Sequence, residues 1–600
     1  MKLRRAVVAL AAVAAAGVVL AGCSAPKQSE LSEKTSLSIA QNSAVTTLNN
    51  LISNQYSTYN SNIAYLTGGG FGFNYYDATP KLVKNTKFGT YEKTSSSPLT
   101  IKYTLSDNAK WSDGDPVNAA DILLQWASSI SKYNNAKSGA NFNNVNAGTG
   151  LDNIEKVPTV KDSKTVITTF AKPYVDWEVS LLTPTLPAHI VYQEAYPDKK
   201  ISNADADKAV IKAIQDNDTA TITALAKAWS TKWNVTSMPS DKKLLVSDGP
   251  YQVSSFVKNQ YITLTRNPDY TAGPIPKIDT LTVRFIPDQT AQVQALQNGE
   301  VDIISGQATT DTVEALDKLT GVKVTNTSES SYEHVDLTMD NGGPFDPKTY
   351  GGDATKALEV REAFLKTIPR QEIVDKLIKP LNPNAKLDDS QFFLPGAAGY
   401  DESVANNGAS AYDKVDIQGA KDLLAKAGVS NLTVKFAYPN DNPRRTSEFA
   451  LIRDSAAQAG ITVADAGSPG EDFFTNLGNG SYDASIFAWQ FTSLAYTGNQ
   501  AAFQTGGQSN YQGYSNTASD ALWKKLETST GTEADNNKIL AEIDKNAWAD
   551  APGVTIFQFP DVTAWSDKVA NVKDNPINVT VFWNYFEWTS EHSSKSTPSK

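Results

Sequence analysis

The residue types that most often carry chemistry are sparse in this sequence. Only three of its 600 residues are histidine, at His189, His334 and His592, and the single cysteine is Cys23. The histidines lie far apart and show no spacing that would form a preorganised metal site. A lone cysteine argues against internal disulfides, thiol catalysis and a cysteine metal site. The sequence therefore predicts neither a dedicated metal site nor another cofactor.

Common catalytic motifs are also missing from the sequence. It contains no His-Glu-x-x-His, no Gly-x-Ser-x-Gly and no Walker loop, and the glycine-rich stretch 68–72 lacks the dinucleotide spacing. Ser129-x-x-Lys132 does occur, but it lies toward the end of a predicted helix and lacks a companion Lys-Thr-Gly. We therefore expect a protein that is not an enzyme and has no catalytic residues.

The N-terminus predicts export and a lipid anchor. Three basic residues among the first five precede an apolar run, 6–20, that is too short for a comfortable membrane span. A Leu-Ala-Gly-Cys sequence ending at Cys23 then resembles a bacterial lipobox, whose cysteine is lipidated after cleavage. We expect a signal peptide at 1–22, and a lipidated Cys23 with a polar tether at 23–34 that holds the protein on the outer face of the cell membrane. An incidental signal-peptide cysteine is the alternative.

Length and charge limit the architecture and the partners. The roughly 570 residues after the signal exceed what one hydrophobic core usually serves, so we expect two or more lobes. The formal net charge is −11, and no basic stripe supports nucleic-acid binding. Charged residues make up 20% and hydrophobic residues 40% of the chain, which are ordinary globular values. Long disorder is therefore expected only at the termini, including the tail 591–600.

Strand and helix signals alternate along the chain and predict mixed α/β lobes. Residues 99–105 alternate as a strand does, and a turn then leads to a helix that Asn118 caps, with Asp121 three residues later. Residues 247–270 read as two strands around a turn. Residues 195–243 read as two helices separated by polar turns, and this segment looks inserted.

Three sequence blocks, found in order, resemble one family. LTIKYTLSDNAKWSDGDPVNAADILLQW (99–126) is similar to a family pattern of strand, Asp-Gly turn and Ala-x-Asp helix start. SDGPYQVSSF with ITLTRNPDY, and then ALQNGEVDI, resemble two further family elements. The segment VREAFLKTIPRQEIV is similar to a helix pair of the same family. Its Pro369 stands where the family usually has an aspartate, but proline also suits a helix start. The chain thus resembles the peptide- and nickel-type ABC solute-binding proteins, which include the oligopeptide- and dipeptide-binding proteins.

This resemblance implies an α/β fold in the form of a two-lobed periplasmic-binding-protein-like clamp, with mixed sheets and an extra subdomain in the N-terminal lobe. Its hinge would consist of two crossings, near Ser331-Tyr332 and near Phe559 to Val562, which permit closure around a ligand. The implied segments are lobe I at 35–79, the extra subdomain at 80–246 with the insertion 195–243, lobe I again at 247–331, lobe II at 332–560 and a return to lobe I at 561–590.

The resemblance also implies where an extended ligand binds. The family holds peptides through main-chain hydrogen bonds from both lobes and leaves roomy hydrated side-chain pockets. Phe487, Ala488 and Trp489 match its ligand-binding strand, although plain core packing is the alternative for a tryptophan in that position. The other implied contacts are Val45 and Thr46 at the edge of lobe I, and Tyr332 near the first crossing.

Thr492 stands at a position where peptide binders of the family often carry an aspartate for the ligand's α-ammonium. A threonine hydroxyl cannot neutralise an ammonium, so recognition of a free N-terminus at this position stays open.

Asp483 is interpreted as a surface residue. Four aromatic residues follow the glycine run 68–70, namely Phe71, Phe73, Tyr75 and Tyr76. They either line the cleft or pack on their own lobe.

Together these observations predict a monomeric lipoprotein that binds a small ligand, an oligopeptide by preference, and delivers it to the permease subunits of an ABC importer. Three alternatives remain open on the sequence. The same fold could bind an oligosaccharide, or a metal chelate through an exposed histidine, for which His334 is the candidate. A structural lipoprotein that does not close on any ligand is the third.

Overall fold

The computed structural model describes residues 35–591, except positions 69, 78–80, 136–138, 149, 307, 492, 508, 574, 576 and 578–579. The predicted signal peptide, Cys23, the tether and residues 592–600 of the predicted tail lie outside the described residues. Among the described helices, none combines the length and the apolar character needed to cross a membrane.

A mixed sheet of ten described strands runs through the whole molecule. In spatial order its strands are β14 (Thr462–Asp465), β13 (Thr433–Ala437), β15 (Ala484–Gln490), β12 (Val322–Leu337), β16 (Gly553–Ser566), β11 (Ile303–Gly306), β1 (Ser36–Gln41), β10 (Thr280–Phe285), β9 (Tyr261–Arg266) and β8 (Tyr251–Val257). We use lobe I for the side from β11 to β8 with its helices, and lobe II for the side from β15 to β14. The predicted two-lobed α/β fold with mixed sheets is confirmed.

Two long antiparallel strands, β12 and β16, belong to both lobes and are called the hinge strands. At one end β16 pairs with β11 of lobe I, from Val562 to Trp565. At the other end β12 pairs with β15 of lobe II, from Ser331 to Leu337. The lobes are therefore connected by two continuous strands.

The pairing of the hinge strands is interrupted near their middle. Ser328 pairs with Pro560, pairing resumes only at Tyr332 with Gln558, and the register shifts once more between Glu333 and His334. Such a bulge bends and twists a strand, and proline at this point cannot donate a ladder hydrogen bond. The crossings suggested by the sequence fall at this interruption, whereas the bounds of the individual segments stay predictions.

Lobe I has a core built from distant parts of the chain. Leu37, Leu264 and Trp588 pack in one hydrophobic cluster although they come from the beginning, the middle and the end of the described chain. The lobe is completed by α1 (Thr58–Thr67), α6 (Gln289–Gln297), α7 (Thr310–Asp317) and the short strands β17 (Val569–Ala570) and β18 (Thr589–Ser590).

The extra subdomain packs helices on a separate four-stranded antiparallel sheet. The predicted cap is confirmed, because Asn118 and Asp121 form a capping box at the start of a helix. Trp229 of the inserted segment is buried in the same core as Trp126, so the insertion is part of this core. The elements are β2 (Asn74–Tyr76), β3 (Leu82–Lys84), β4 (Gly89–Ser96), β5 (Leu99–Leu105), β6 (Thr159–Val160), β7 (Thr165–Thr169), α2 (Ala119–Ser129), α3 (Ala188–Ala195), α4 (Asn203–Gln215) and α5 (Thr219–Thr231).

Lobe II surrounds its part of the sheet with helices. Pro369 precedes the second of them, as the sequence predicts. Asp416 caps the fourth, which ends at Gly428 in the left-handed conformation, φ +69°. The helices are α8 (Ala354–Leu365), α9 (Arg370–Ile373), α10 (Tyr400–Asn407), α11 (Ile417–Ala427), α12 (Pro443–Gln458), α13 (Gly470–Asn476), α14 (Gln500–Phe503), α15 (Thr517–Glu527) and α16 (Glu533–Asp550).

Candidate ligand-binding cleft

A cavity of about 460 Å³ lies where both lobes meet the hinge strands, and it is called the interlobe cavity. Its size is in the range of small-molecule sites in proteins. Lobe I, the hinge strands and lobe II all contribute to its wall. The described lining residues are Ala40, Gln41, Asn42, Thr58, Tyr59, Asn62, Gln289, Ser305, Gly306, Glu329, Ser331, Gln490, Asp561, Val581 and Phe582.

The hinge strand β12 aims alternate side chains at this cavity. Glu329 and Ser331 line it, whereas Ser330 and Tyr332 are fully or almost fully buried in the protein. Successive side chains of a strand point to opposite faces, so two cavity-lining residues follow directly from the strand geometry. The glutamate is thus held by the element that connects the two lobes.

The charged groups of the cavity wall are all acidic. Among its described lining residues, Glu329 and Asp561 carry charge, and no lysine, arginine or histidine is present. The Ser305 hydroxyl donates a 3.4 Å hydrogen bond to Asp561. Burial raises the pKa of Glu329 to about 7, although the charge of Arg444 and a hydrogen bond from Ser331 act in the opposite direction. The wall therefore suits a positively charged group better than an anion.

Arg444, the arginine that lowers the pKa of Glu329, is already bound to other carboxylates. It forms ion pairs of 3.1 Å with Glu333 and 3.2 Å with Glu448. Arg445 pairs with Glu333 at 3.0 Å. Burial and the nearby Glu333 raise the pKa of Glu448. Within the described chain Glu329 has no salt bridge of its own.

Two buried amide side chains add further hydrogen-bond acceptors. Gln41 is 3% exposed, and its Nε2 donates to the main-chain oxygen of Ser43 at 2.8 Å, which fixes the orientation of the amide. Its Oε1 has no partner among the described residues, and the same is true of Oδ1 of Asn62, which is 4% exposed. An unsatisfied buried acceptor costs about 1–3 kcal/mol, so a ligand that donates to these oxygens would recover that energy.

One strand beside the cavity has an open edge. On one side β15 pairs with β12 along its whole length, from Ala484 to Gln490. On the other side it pairs with β13 only at Ala484 and Ser485. In the part of the sheet that the structure describes, residues 486–490 therefore have no strand partner on this side. Such an edge can accept an added extended chain through main-chain hydrogen bonds.

The predicted strand residues Phe487, Ala488 and Trp489 lie on this open edge. The Trp489 ring is half-buried and stacks on Tyr511 at 6.0 Å and on His334 at 6.2 Å between ring centroids. Phe487 is buried. The side chains of Phe487 and Trp489 thus pack within lobe II, which is the alternative given for the tryptophan in the sequence analysis. The main chain of the same residues borders the gap beside β13.

The other residues predicted from the resemblance are not part of the cavity lining. Tyr332 pairs with Trp489 in register but is 1% exposed, and its hydroxyl donates to Gln391 at 3.4 Å. The Val45 side chain is buried in the core of lobe I. Thr46 is exposed, and its main-chain N–H donates to Asn60.

The lobe I contribution includes a stretch of the chain just before the residues that the resemblance implied. Ala40, Gln41 and Asn42 line the cavity because β1 ends there, and the chain then turns into the lobe I core. Thr492 lies outside the described residues, so its predicted role stays a prediction.

The sequence interpretation missed the two acids of the wall, Glu329 and Asp561. Asp561 lies inside the predicted return crossing, and Glu329 is two residues before the predicted first crossing. Asp483, interpreted as a surface residue, is instead buried. Its carboxylate accepts a 2.9 Å hydrogen bond from the Lys435 N–H, which satisfies it away from water.

A second cavity, of about 750 Å³, lies between the extra subdomain and lobe II. Tyr76, Phe392, Phe491 and Leu494 belong to its wall, which is largely apolar and aromatic. Phe491 directly follows Gln490 of the interlobe cavity, so the two cavities share the end of β15. Of the four aromatic residues after the glycine run, Phe71 and Phe73 are buried in the cores and Tyr76 contributes to this wall.

A carboxylate joins the extra subdomain to lobe II beside the second cavity. Asp176 is 3% exposed and accepts hydrogen bonds from the main-chain N–H groups of Tyr496, at 2.7 Å, and Thr497, at 2.9 Å. The Tyr76 hydroxyl accepts a 3.1 Å bond from the Leu494 N–H. These contacts cross from one unit to the other, and the structure therefore describes a closed arrangement.

The described histidines do not lie in the interlobe cavity. His334 is fully buried among aromatic rings, so the expectation of an exposed histidine at this position is wrong.

His189 lies 2.9 Å from Asp113 and 4.0 Å from Asp115 inside the extra subdomain. Among the described residues these three form the group whose ligand atoms are close enough to hold a metal. Sequence spacing could not reveal it, because His189 is 76 positions from Asp113.

Comparisons with known proteins agree with this fold. Residues 78–511 match the family model described as bacterial extracellular solute-binding proteins, family 5, middle. A lipoprotein of Mycobacterium tuberculosis is 23% identical over 579 residues, which cover 92% of this chain and 95% of the relative.

Two solved structures show the same fold. The periplasmic EDTA-binding protein EppA matches with a TM-score of 0.76 and 24% identity, covering 93% of this chain and 97% of the other. The oligopeptide-binding protein AppA from Bacillus subtilis, in complex with a nonapeptide, matches with a TM-score of 0.67 and 17% identity, covering 93% and 100%. The family match spans more than half of the chain, and this protein therefore belongs to the bacterial extracellular solute-binding proteins of family 5.

Proposed function

We propose that this protein is the solute-binding lipoprotein of an ABC importer and that it carries peptides in an extended conformation. The open edge of β15 beside the interlobe cavity supports this proposal most directly. An extended peptide that adds to this edge is held by its main chain, so its side-chain sequence matters little. The AppA neighbour, which binds a nonapeptide, supports the same cargo class.

The proposed cycle involves binding and conformational change without a chemical step. A peptide enters the open cleft, its main chain bonds to residues 486–490, and the lobes close by bending at the interruption of the hinge strands. Closure then presents a joint surface of both lobes to the permease. Lipidation at Cys23 would keep the protein at the outer face of the membrane, in agreement with the lipoprotein among its relatives.

A metal chelate is the main competing cargo, since the EppA neighbour binds EDTA. An anionic chelate needs cationic or hydrogen-bond-donating groups around it. The described wall of the interlobe cavity instead carries Glu329 and Asp561 and lacks lysine, arginine and histidine. Its charge therefore favours a peptide over an anionic chelate.

Mass spectrometry of the bound cargo tests the proposal. The soluble form lacking residues 1–23 would be produced in rich medium, and its ligands released by denaturation. A ladder of peptide masses is expected. A single chelate or sugar mass would refute peptide cargo while leaving the importer role in place, and an empty protein that binds no peptide in thermal-shift screens would favour the structural alternative.

Main-chain recognition has its own test. Penta-alanine and a penta-alanine with N-methylated alternate amides have the same sequence but different main-chain donors. We expect methylation to weaken binding by roughly tenfold or more, because each lost or unsatisfied hydrogen bond costs about 1 kcal/mol or more. Since alternate N–H groups of an extended chain point to opposite edges, both alternate methylation patterns are compared, and affinities equal to that of penta-alanine for both would exclude strand addition at β15.

A further inference from the structure

We infer that Glu329, with the amide oxygens of Gln41 and Asn62, forms a subsite for a cationic nitrogen group of the ligand. The group would be an ammonium or a guanidinium with several N–H donors. This inference rests on the proposed binding function and narrows the chemistry of the cargo.

The position of Glu329 is the first argument. It lies on the cavity face of β12, next to Ser331, where lobe I, the hinge and lobe II meet. A cation bound to Glu329 therefore occupies a cavity that residues of both lobes line, such as Tyr59 of α1 and Gln490 of β15. Binding at this point favours the closed state, because a ligand that bridges both lobes is held more tightly when they are closed.

Charge balance is the second argument. The charge of Arg444 acts on Glu329, but the described ion pairs of Arg444 and Arg445 go to Glu333 and Glu448. An ionised carboxylate removed from water without a paired cation is costly, and because both arginines are bound by other carboxylates, a ligand cation would supply the ion-pair partner that Glu329 lacks among the described residues.

Hydrogen-bonding capacity is the third argument, and it is independent of charge. Oε1 of Gln41 and Oδ1 of Asn62 are buried acceptors without a partner among the described residues, and both side chains line the same cavity as Glu329. An ammonium supplies three donors and no acceptor, and a guanidinium supplies five. A cationic nitrogen group therefore matches this wall, whereas a carboxylate or another pure acceptor does not.

Three probes distinguish the possible sources of the cation. Penta-alanine carries an α-ammonium, N-acetyl-penta-alanine lacks it, and spermidine carries ammonium groups without a peptide chain. Binding to the mature full-length lipoprotein in detergent would be measured by calorimetry for the wild type and for Glu329→Gln. Glu314→Gln is the matched control, since Glu314 is exposed on α7 in lobe I.

We expect the wild type to bind penta-alanine roughly 30-fold or more tightly than its acetylated form, in keeping with the loss of one partner of a buried charge pair. Glu329→Gln should abolish that preference, and Glu314→Gln should keep it. Equal wild-type affinities for both peptides would overturn an α-ammonium subsite while leaving peptide binding intact. Spermidine binding that depends on Glu329, without peptide binding, would support the cation subsite and refute the peptide cargo. Failure of every cationic probe to bind would overturn the inference.

Discussion

The carboxylate of Asp176 in the extra subdomain accepts a 2.6 Å hydrogen bond from the hydroxyl of Thr497 in lobe II. The same carboxylate also accepts the N–H groups of Tyr496 and Thr497, so one side chain fastens a loop of the opposite unit. Each hydrogen bond to a charged acceptor typically contributes about 1.5–3 kcal/mol to stability. Asp176 is therefore a specific stabiliser of the closed arrangement.

Asp176→Ala should open the protein and weaken ligand binding. The substitution removes every one of these contacts, so the closed state becomes less populated and the apparent affinity falls by roughly tenfold or more. Small-angle scattering of the ligand-free protein should show a larger radius of gyration than the wild type. Asp198→Ala, at an exposed position of the same subdomain, is the control and should change neither quantity. Unchanged scattering and affinity in Asp176→Ala would show that this carboxylate does not hold the lobes together.

Binding of a peptide with a free N-terminus should weaken at acidic pH. The pKa of Glu329 is raised to about 7 in the ligand-free protein, so most of this carboxyl is protonated at pH 5 and cannot neutralise a cation. The α-ammonium stays protonated over this range, with an ordinary pKa of about 8. We expect the affinity for penta-alanine to fall by roughly tens of fold between pH 7 and pH 5, and Glu329→Gln to lose most of this dependence. An equal pH dependence in the variant would assign it to another group.

Glu329→Gln should also stabilise the ligand-free protein at alkaline pH. Because the folded-state pKa lies above the ordinary value of 4.5, the stability of the wild type falls as pH rises from about 4.5 through about 7. Glutamine cannot ionise, so it avoids this loss, which is on the order of 1–3 kcal/mol. The melting temperature of the variant should exceed that of the wild type at pH 8 and differ less at pH 5. A lower melting temperature at pH 8 would contradict the raised pKa.

Most of the local structure was predictable from the sequence because its signals are local. The alternation of residues 99–105 and the cap at Asn118 both appear in the structure where the sequence placed them. Each depends on residues a few positions apart, so a single stretch of sequence contains all the information needed. The resemblance then supplied the arrangement of the lobes, which local signals could not.

The candidate site was predictable only in part because it is assembled from distant segments. Ser305 and Asp561 are 256 positions apart, yet they are hydrogen-bonded in the cavity wall. Glu329 carries no sequence signal of its own, since its role follows from the face of β12 that it occupies. Asp483 was misinterpreted for the same reason, because its partner Lys435 belongs to another strand.

The extra subdomain should lose stability as pH rises from weakly acidic to alkaline values. Burial by itself would lower the pKa of His189, but the hydrogen bond to Asp113 and the charges of Asp121 and Asp207 outweigh burial and raise that pKa. Stability from protonated His189 is therefore present below its unfolded pKa of about 6.5 and is lost as pH rises through the higher folded value. Burial and the nearby Asp121 also raise the pKa of Asp207, to about 7, which acts in the same direction.

His189→Gln tests this dependence. At pH 6 the variant leaves buried carboxylates without their cation, so we expect a loss of about 3–5 kcal/mol, seen as a lower melting temperature of the transition that reports the extra subdomain. At an alkaline pH above the raised pKa of His189 the wild-type imidazole is itself neutral, and the two proteins should melt closer together. Gln193→Ala, a change of a partly buried side chain on the same helix, is the control and should show no such pH-dependent difference. An equal loss at both pH values would mean that His189 stabilises the subdomain by packing and not by its charge.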